Sequence, residues 1–304
     1  MSEQRLSILS APSNLGLRPP VSGAVPGTAK APEALREAGL YAGLLAAGAS
    51  DAGVVLPGRY LDDWRPGQRL RNEEPLLEHA ARLGDRLAAI RSQGDWPLVL
   101  GGDCSILLGI AVELKRQGHF GLIHLDGHTD FRHPGNSSHC ASLAGEDLAA
   151  VTGKHWPQIA NIGGLSPYFS PQNVVHAGCR DSDEEIEEVS GYLAALFTSA
   201  QILASAEHIG QQIFAALPQH LDGIWLQLDV DILDPSIMPA VDGPDPDGIY
   251  WQQLEQLLRV LLPRVCGLSV TVFDPDLDPD GQLARRLSRL LLDVLDARAV
   301  VIDS

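Results

Sequence analysis

The chain has 304 residues, enough for one large α/β domain, and 45% of them are hydrophobic and available for a core. Its 22 Lys and Arg against 39 Asp and Glu give a formal net charge of −17, which repels the phosphates of nucleic acids and anionic lipids. We therefore expect neither nucleic-acid nor membrane binding. The N-terminus lacks the pattern of a signal peptide, and four scattered cysteines lack the spacing of a disulfide framework, so we expect a cytoplasmic protein.

Short apolar runs of strand length alternate along the chain with longer segments of helical periodicity. We predict strands over residues 6–10, 96–100, 120–125, 173–177, 223–228 and 265–272. We predict helices over residues 75–91, 107–116, 183–197, 209–217, 250–262 and 283–297. This alternation is typical of an α/β fold in which helices cover both faces of a mostly parallel sheet.

No low-complexity tract, repeat or linker divides the sequence, so we predict a single domain over residues 1–304. Two loops are long, over residues 10–32 and 153–171, and long loops of an α/β domain often form the walls of an active site. Open parallel sheets bind ligands at the carboxyl ends of their strands, so the residues that follow each strand are the ones to inspect.

Polar motifs follow three of the predicted strands. They read Gly-Gly-Asp-Cys-Ser at 101–105, Asp-Gly-His-Thr-Asp at 126–130 and Asp-Val-Asp at 229–231. Each acid taken singly is as well explained as a turn residue. Side chains at alternate positions of an extended chain share a direction, which groups Asp126, His128 and Asp130 in one motif and Asp229 and Asp231 in another. Carboxylates in such a group repel one another without a cation, and oxygen donors with one imidazole suit a hard divalent metal, above all Mn²⁺.

These motifs resemble those of the ureohydrolases, the family of arginase, agmatinase and their relatives. Residues 101–105 are similar to the family's GGDHS, residues 126–130 to DAHTD, and residues 229–235 to DVDxxDP; weaker similarities lie at 30–40, 71–72 and 178–181. The resemblance covers about residues 6 to 296. It implies a three-layer α/β/α fold with a mostly parallel eight-stranded sheet, a trimer or hexamer, and metal-dependent hydrolysis of a C–N bond in a linear amidine or guanidino compound.

The resemblance also implies a set of metal ligands and a catalytic carboxylate. One divalent ion is held by the residue at 104 with Asp126, Asp130 and Asp229, and a second by Asp126, His128, Asp229 and Asp231. A hydroxide between the two ions is the implied nucleophile. Asp130 has the further implied role of accepting a hydrogen bond from that nucleophile and orienting it.

Cys104 departs from the family pattern, which has histidine at this position. A thiolate is a poor ligand for Mn²⁺, so Zn, Fe, Co or Ni are alternatives, as is a single ion held by His128 and the carboxylates. Cys104 is equally well explained as a small residue packed beneath the sheet edge. Both interpretations stay open at this stage.

Val272 is the second departure. The family usually has at this place a glutamate that binds the guanidinium of the substrate, and valine supplies no carboxylate. Plain arginine is therefore a disfavoured substrate unless Asp274 or Asp276 takes over. A solvated acidic turn is the preferred explanation of those two residues.

The loop after Asp130 supplies candidate residues for substrate and proton transfer. Its ending resembles the arginase sequence SGNxHG, which implies that His139 protonates the leaving amine and that Asn136 contacts the substrate, with His133 as a weaker candidate for the acid. Asp183 lies where arginases place a carboxylate for the substrate ammonium group, although it also fits the acidic start of a helix. Arg132 either points inward, where it would select a substrate carboxylate, or is an ordinary surface residue, which we expect.

The sequence thus favours a ureohydrolase-like enzyme that binds two divalent ions and a small guanidino or amidino substrate other than arginine. Two alternatives stay open. One is a non-catalytic homologue of the same fold, suggested by the changes at 104 and 272, and the other is an amide deacylase that uses a single metal.

Overall fold

An eight-stranded parallel sheet is the centre of the computed structural model, which describes residues 4–302. The strands are β1 Leu6–Ala11, β2 Ser50–Val54, β3 Trp96–Gly101, β4 Phe120–Leu125, β5 Val174–Ala177, β6 Ala195–Phe197, β7 Gly223–Asp229 and β8 Gly267–Thr271. Their order across the sheet is β2-β1-β3-β8-β7-β4-β5-β6, and every pairing is parallel. The predicted α/β class with a parallel eight-stranded sheet is confirmed.

Helices cover both faces of this sheet and create two separate cores. They are α1 Ala31–Glu37, α2 Leu40–Ala46, α3 Glu73–Ser92, α4 Leu107–Gln117, α5 Asp147–Val151, α6 Pro157–Ala160, α7 Ile186–Tyr192, α8 Ser199–Ala216, α9 Trp251–Leu261 and α10 Gln282–Ile302. One core packs α1, α2, α8, α9 and α10 on the sheet, and the other packs α3 to α7 on the opposite face. The strands are buried on both sides, which explains their nearly continuous apolar sequences.

Both edge strands differ from the sequence prediction. β2 was not predicted, because none of its five residues is buried and it therefore has no apolar pattern. β6 lies inside the segment 183–197 that we predicted as one helix, and this prediction is wrong. The helix α7 ends at Tyr192, and the three residues of β6 pair with β5 at the edge of the sheet. A strand this short does not alter the helical periodicity of the segment around it.

Several helical regions also differ, including α5 and α6, which were not predicted. Residues 31–46 form α1 and α2, where no helix was predicted, and α8 begins at Ser199 rather than at residue 209. The start of α8 is set by Gln201, whose side-chain oxygen accepts a hydrogen bond from the Thr198 amide at 2.8 Å, as in a capping box. No helix within residues 4–302 is long and apolar enough to cross a membrane. The single-domain assignment over 1–304 stays a prediction.

The strand order brings the chemistry-bearing motifs together. β3, β8, β7 and β4 are consecutive in the sheet, so their carboxyl ends lie side by side. The residues that follow these ends include Cys104, Asp126 to Asp130, Asp231 and Val272, while Asp229 ends β7. The sheet topology alone therefore assembles the predicted site from segments up to 168 positions apart (272 − 104).

Candidate metal centre and cavity

A tight turn fixes Cys104 at the end of β3. A Cβ at Gly102 would lie 1.8 Å from the Ser13 carbonyl oxygen, so only glycine fits this close approach to the loop after β1. The buried Asp103 accepts hydrogen bonds from Ser13 Oγ at 2.9 Å and from the Ser105 amide at 2.8 Å. The second of these bonds caps the 3-10 helix Cys104–Ile106 and holds the Cys104 side chain over the sheet edge.

Backbone amides orient the carboxylates that follow β4 and β7. One oxygen of Asp126 accepts from the His128 amide at 2.8 Å, and one oxygen of Asp229 accepts from the Asp231 amide at 2.8 Å. Asp231 accepts from the Gly127 amide at 2.9 Å, which links the two motifs across neighbouring strands. Each of these three carboxylates keeps its second oxygen for a contact within the site.

We call Asp126, His128 and Asp231 the outer cluster. One ligand atom from each lies within 4.8 Å of the others. His128 Nδ1 is 2.9 Å from Asp231 Oδ2, and His128 Nε2 is 3.2 Å from Asp245 Oδ2. The charge of Asp231 raises the pKa of His128 to about 10, against the opposing effect of burial. The outer cluster thus attracts positive charge strongly, as the predicted second metal position requires.

The thiol cluster consists of Cys104, Asp126 and Asp130, whose ligand atoms also lie within 4.8 Å of one another. Cys104 Sγ donates a hydrogen bond to Asp229 Oδ2 at 2.6 Å and lies 3.2 Å from Thr271 Oγ1. Burial raises the pKa of the Cys104 thiol well above its usual range, and the charge of Asp229 adds to that effect. The structure therefore brings the predicted first-site residues together, but with a protonated thiol.

A third cluster, which the sequence did not predict, lies next to the thiol cluster. This inner cluster consists of His124, Asp130 and Asp147, again within 4.8 Å. His124 and Asp147 are fully buried, and His124 Nε2 is 3.5 Å from Asp147 Oδ1. Burial lowers the pKa of His124 to about 3, so its imidazole is neutral. A neutral imidazole beside two carboxylates has the donor types of a divalent metal site.

The electrostatics of the carboxylates fit a divalent cation. Burial and mutual repulsion raise the pKa of Asp126, Asp130 and Asp229 well above the ordinary range. For Asp231 burial acts in the same direction, but attraction and a hydrogen bond from His128 outweigh it and lower the pKa. A divalent ion among these groups would stabilise their charged forms, so the donors present fit the metal that the motifs imply.

One cavity of about 810 Å³ opens over these clusters, and its wall contains several predicted substrate residues. His139 is exposed on this wall. Asp183 also lines the cavity, and its carboxylate accepts hydrogen bonds from the amide and hydroxyl of Thr129 at 2.8 and 2.7 Å. Arg132, which we expected on the outer surface, lies on the cavity wall. Three of the predicted loop residues thus face the same space as the metal-ligand candidates.

Asn136 and His133 lie outside this cavity. Asn136 is not among the described residues that line it. Its amide nitrogen donates to Phe131 O at 3.1 Å and to Glu188 Oε2 at 3.0 Å, and its oxygen accepts from the His133 amide. His133 itself contacts Glu188 through Nε2 at 3.0 Å. These residues brace the loop, and their geometry offers no support for Asn136 as a substrate ligand or for His133 as the catalytic acid.

Val272 lines the cavity at the place predicted for a substrate-binding glutamate. It is 4% exposed and has a φ of +72°, an uncommon conformation for a β-branched residue. Asp274 and Asp276 do not take over the missing carboxylate, since Asp274 accepts the Gly27 amide at 3.2 Å and Asp276 forms an ion pair with Lys30 at 2.6 Å. The acidic turn thus anchors the loop after β1, a role that the expected solvated turn did not include.

Several polar residues of the site escaped the sequence interpretation. His124 could have been found, because a histidine two positions before Asp126 in an apolar strand projects to the same side. Asp147 had no such signal, since acids are common in the first turn of a helix. The remaining cavity residues come from separate loops, so only the fold brings them together: Arg18, Arg71, Arg180, Asp242 and Asp245.

Comparison with known proteins decides the family. The Arginase family model matches residues 4–296, nearly the whole chain and all the motifs at the sheet edge. This chain belongs to the arginase family. The predicted resemblance to ureohydrolases is confirmed, and the chain is an arginase-family hydrolase that acts on linear amidines.

Relatives of this arginase-family chain differ in the reaction that their names give. An arginase from Brevibacillus brevis is 31% identical over 293 residues, which cover 93% of this chain and 94% of the relative. The solved arginase from Bacillus caldovelox superposes with a TM-score of 0.84 at 26% identity and covers 96% of this chain and 98% of its own. Formimidoylglutamase from Bacillus subtilis superposes with a TM-score of 0.73 at 19% identity and covers 98% of this chain and 88% of its own. This similarity shows the shared fold alone. The substrate therefore has to be argued from this chain's own cavity.

Proposed function

We propose that this chain is a metal-dependent ureohydrolase that hydrolyses a C–N bond in a guanidino or amidino compound other than plain arginine. The observation that carries the proposal is the cavity that His128, Asp130, Asp229 and Asp231 line together with Val272. The carboxylates support metal-dependent hydrolysis. The valine supports a substrate that is not held by a glutamate at its guanidinium.

The proposed metal ligands are Asp126, His128, Asp130, Asp229 and Asp231, with Mn²⁺ as the preferred ion and Zn, Fe, Co or Ni as alternatives. Divalent ions bound there would lower the pKa of a water molecule and neutralise the buried carboxylates. Asp130 ends the motif with a φ of +46°, which turns its side chain into the site. In our proposal Asp130 accepts a hydrogen bond from the attacking water and directs its lone pair at the amidine carbon.

We assign His139 to proton transfer on the leaving amine. Its imidazole is exposed on the same cavity wall as Asp130, and an imidazole exchanges protons near neutral pH. The leaving nitrogen of a tetrahedral intermediate must depart protonated, so an acid on this wall is required.

The cavity wall is polar in both signs, which narrows the class of substrate. Its lining includes Arg18, Arg71 and Arg132 as well as Asp183, Glu184 and Glu185. A guanidinium brings its own positive charge toward the metal-site carboxylates, and a carboxylate at the far end of the substrate would pair with the arginines. We therefore expect guanidino acids or formimino compounds with a carboxylate to be better substrates than agmatine, which has none.

Hydrolysis by the full chain of a panel of arginine, agmatine, guanidino acids, hydroxyguanidines and formimino acids tests this proposal. Each assay is run with Mn²⁺, Zn²⁺, Fe²⁺, Co²⁺ or Ni²⁺, and urea, ammonia and acetate are measured separately. Metal-dependent release of urea or ammonia from a non-arginine member supports the proposal. Arginine as the best substrate contradicts the substrate assignment, acetate release from an acetylated amine indicates a deacylase, and no hydrolysis of any member favours a non-catalytic homologue.

The family resemblance also supports a homo-oligomer, a trimer or a hexamer, which light scattering of the purified chain would test. The four cysteines are free thiols, which supports a reducing compartment such as the cytoplasm. Neither inference affects the assignment of the site.

A further inference from the structure

Four buried polar atoms without a hydrogen-bond partner belong to three neighbouring side chains of the site. They are His124 Nε2, Asp126 Oδ2 and both carboxylate oxygens of Asp147. All three residues are fully buried, so no bulk water reaches these atoms. An unpaired buried polar atom destabilises a fold, and several in neighbouring side chains are typical of a site whose ligand supplies the missing contacts.

The spacing of these atoms fits the donors of one metal ion. His124 Nε2 lies 3.7 Å from Asp126 Oδ2 and 3.5 Å from Asp147 Oδ1. Donors at about 2.1 Å from a metal are separated by roughly 3 to 4.2 Å, so no large movement is needed to coordinate an ion. Asp130 completes the inner cluster within 4.8 Å of His124 and Asp147.

His176 on β5 orients the imidazole of the inner cluster. It pairs in register with His124 on β4, and the two Nδ1 atoms lie 3.0 Å apart. When His124 donates this hydrogen bond from Nδ1, its Nε2 lone pair faces Asp126 and Asp147. A ring nitrogen fixed by a neighbour, with the other nitrogen free to bind, is the usual arrangement of a metal-ligating histidine.

In the thiol cluster, by contrast, the side chain of Cys104 has no polar atom without a partner. Cys104 already donates its hydrogen to Asp229 at 2.6 Å, and Thr271 lies against its sulfur at 3.2 Å. The side chain at residue 104 is therefore already engaged by two neighbours, whereas His124 Nε2 and both oxygens of Asp147 have no partner.

We propose that the first metal position of this chain is built from His124, Asp126, Asp130 and Asp147, and that Cys104 is not a ligand. At this ion the imidazole of His124 and the carboxylate of Asp147 from α5 thus take the places of residue 104 and Asp229, and Asp229 remains a ligand of the second ion. The proposal rests on the metal-dependent function argued above and changes the ligands of one of its two ions. Helix α5 is held beside the site because the Ala149 amide donates to the Asp130 carbonyl oxygen at 3.4 Å.

The absorption spectrum of the unmodified chain loaded with Co²⁺ is the first test. A thiolate bound to Co²⁺ gives an intense sulfur-to-metal charge-transfer absorption, and imidazole and carboxylate ligands do not. We expect no such absorption and no change of spectrum in Cys104→Ser. A charge-transfer absorption that disappears in Cys104→Ser would overturn the proposal. This test needs no variant of Asp147 to fold.

Metal stoichiometry and affinity of Asp147→Asn are the second test. We expect one Co²⁺ fewer per subunit or at least tenfold weaker binding of one ion, because loss of a ligand exceeds the 10- to 100-fold effect of outer contacts. The control Asp95→Asn changes another buried carboxylate, which pairs with Arg5 at the amino ends of β1 and β3. This variant should bind Co²⁺ as the unmodified chain does. Unchanged stoichiometry and affinity in Asp147→Asn would overturn the proposal.

Hydrolysis of the amidine panel by the unmodified chain is measured in parallel, so that the two proposals fail separately. Hydrolysis together with a thiolate spectrum would leave the function standing and reject the ligand assignment. Binding of Co²⁺ at the inner cluster without hydrolysis would support the ligand assignment and reject the function.

Discussion

The outer and inner clusters share the segment of β4 and its following motif, and they differ in what satisfies their polar atoms: the outer cluster is completed by Asp231 after β7 and the inner cluster by Asp147 of α5. In the outer cluster His128 is paired on both ring nitrogens, with Asp231 at 2.9 Å and Asp245 at 3.2 Å, and it reaches the cavity. In the inner cluster His124 Nε2 and both oxygens of Asp147 are buried and unpartnered. A proton on His128 offsets part of the negative charge of the outer cluster, whereas the inner cluster has no cationic side chain and gains most from a metal ion.

A sequence motif thus determines where the backbone places its own metal ligands, but it does not determine which side chains from other segments complete the site. Asp126 of the outer cluster also reaches the inner cluster, because one of its oxygens accepts from the His128 amide and the other lies 3.7 Å from His124 Nε2. In our proposal, His124 and Asp147 compensate for the loss of the metal-binding histidine at position 104.

Breaking the outer cluster should have the largest effect on activity. Asp231→Asn keeps an oxygen for the Gly127 amide but removes the charge that faces His128, so hydrolysis should fall at least about 100-fold in kcat/KM. Assay of the best panel substrate, with metal content measured on the same sample, checks this. The control Asp95→Asn should stay within a few-fold of the unmodified chain, and full activity of Asp231→Asn would exclude the outer cluster from the reaction.

Removing the proposed acid should affect turnover and leave both clusters intact. His139→Asn should lower kcat by about 100-fold, the usual contribution of a positioned general acid, with metal content unchanged. His133→Asn is the matched control, because His133 contacts Glu188 in the bracing of the loop and lies off the cavity wall. Equal losses of kcat in the two variants would show that loop structure, and not proton transfer, depends on these histidines.

Restoring the family glutamate at position 272 should change which substrate the enzyme prefers. Val272→Glu should raise kcat/KM for arginine by about tenfold or more, since a charged hydrogen bond contributes about 1.5 to 3 kcal/mol. Residue 272 follows β8 and lines the same cavity as His128. Val272→Gln has the same shape without the charge and should gain far less; an equal gain in both variants would attribute the effect to strain at the positive φ.

A smaller effect is expected on thermal stability, whose dependence on pH should differ between the metal-free and the metal-loaded protein. The pKa of Asp126, Asp130 and Asp229 is raised in the folded chain, so the metal-free fold binds more protons than the unfolded chain above an ordinary pKa of about 4. Its stability therefore falls as pH rises through this range toward the raised values. The Tm of the metal-free chain should increase as pH is lowered from about 8 to about 5.

Saturation with metal should reverse that trend and raise the Tm at neutral pH. Binding at 100 times the dissociation constant adds about 2.7 kcal/mol, or about 5 °C in Tm, and protonation of the ligands removes this gain at low pH. Calorimetric melting of both forms across the pH range measures the difference. Parallel curves for the two forms would show that these carboxylates do not bind the metal.

Much of the fold could be predicted because buried parallel strands have continuous apolar sequences. β3, β4 and β7 were found within a residue of their bounds, and the motifs after them lie together as expected. The edge strands β2 and β6 were missed, since an exposed or three-residue strand carries no apolar pattern.

The site was predictable only as far as its motifs extend. Asp126, His128, Asp130 and Asp231 meet because they follow neighbouring strands, which alternation and topology foretell. Asp147 enters the inner cluster from a different helix, and the role of Asn136 in the loop depends on Glu188, 52 positions away. Contacts of this kind are set by tertiary packing and have no local signature in the sequence.

Titration of the metal-free chain with Mn²⁺ at neutral pH, followed by calorimetry and elemental analysis, measures how many metal ions each subunit binds. Two ions per subunit, with unequal affinity for the outer and inner clusters, is the predicted result. One ion or none per subunit would contradict the account of two metal positions in this cavity.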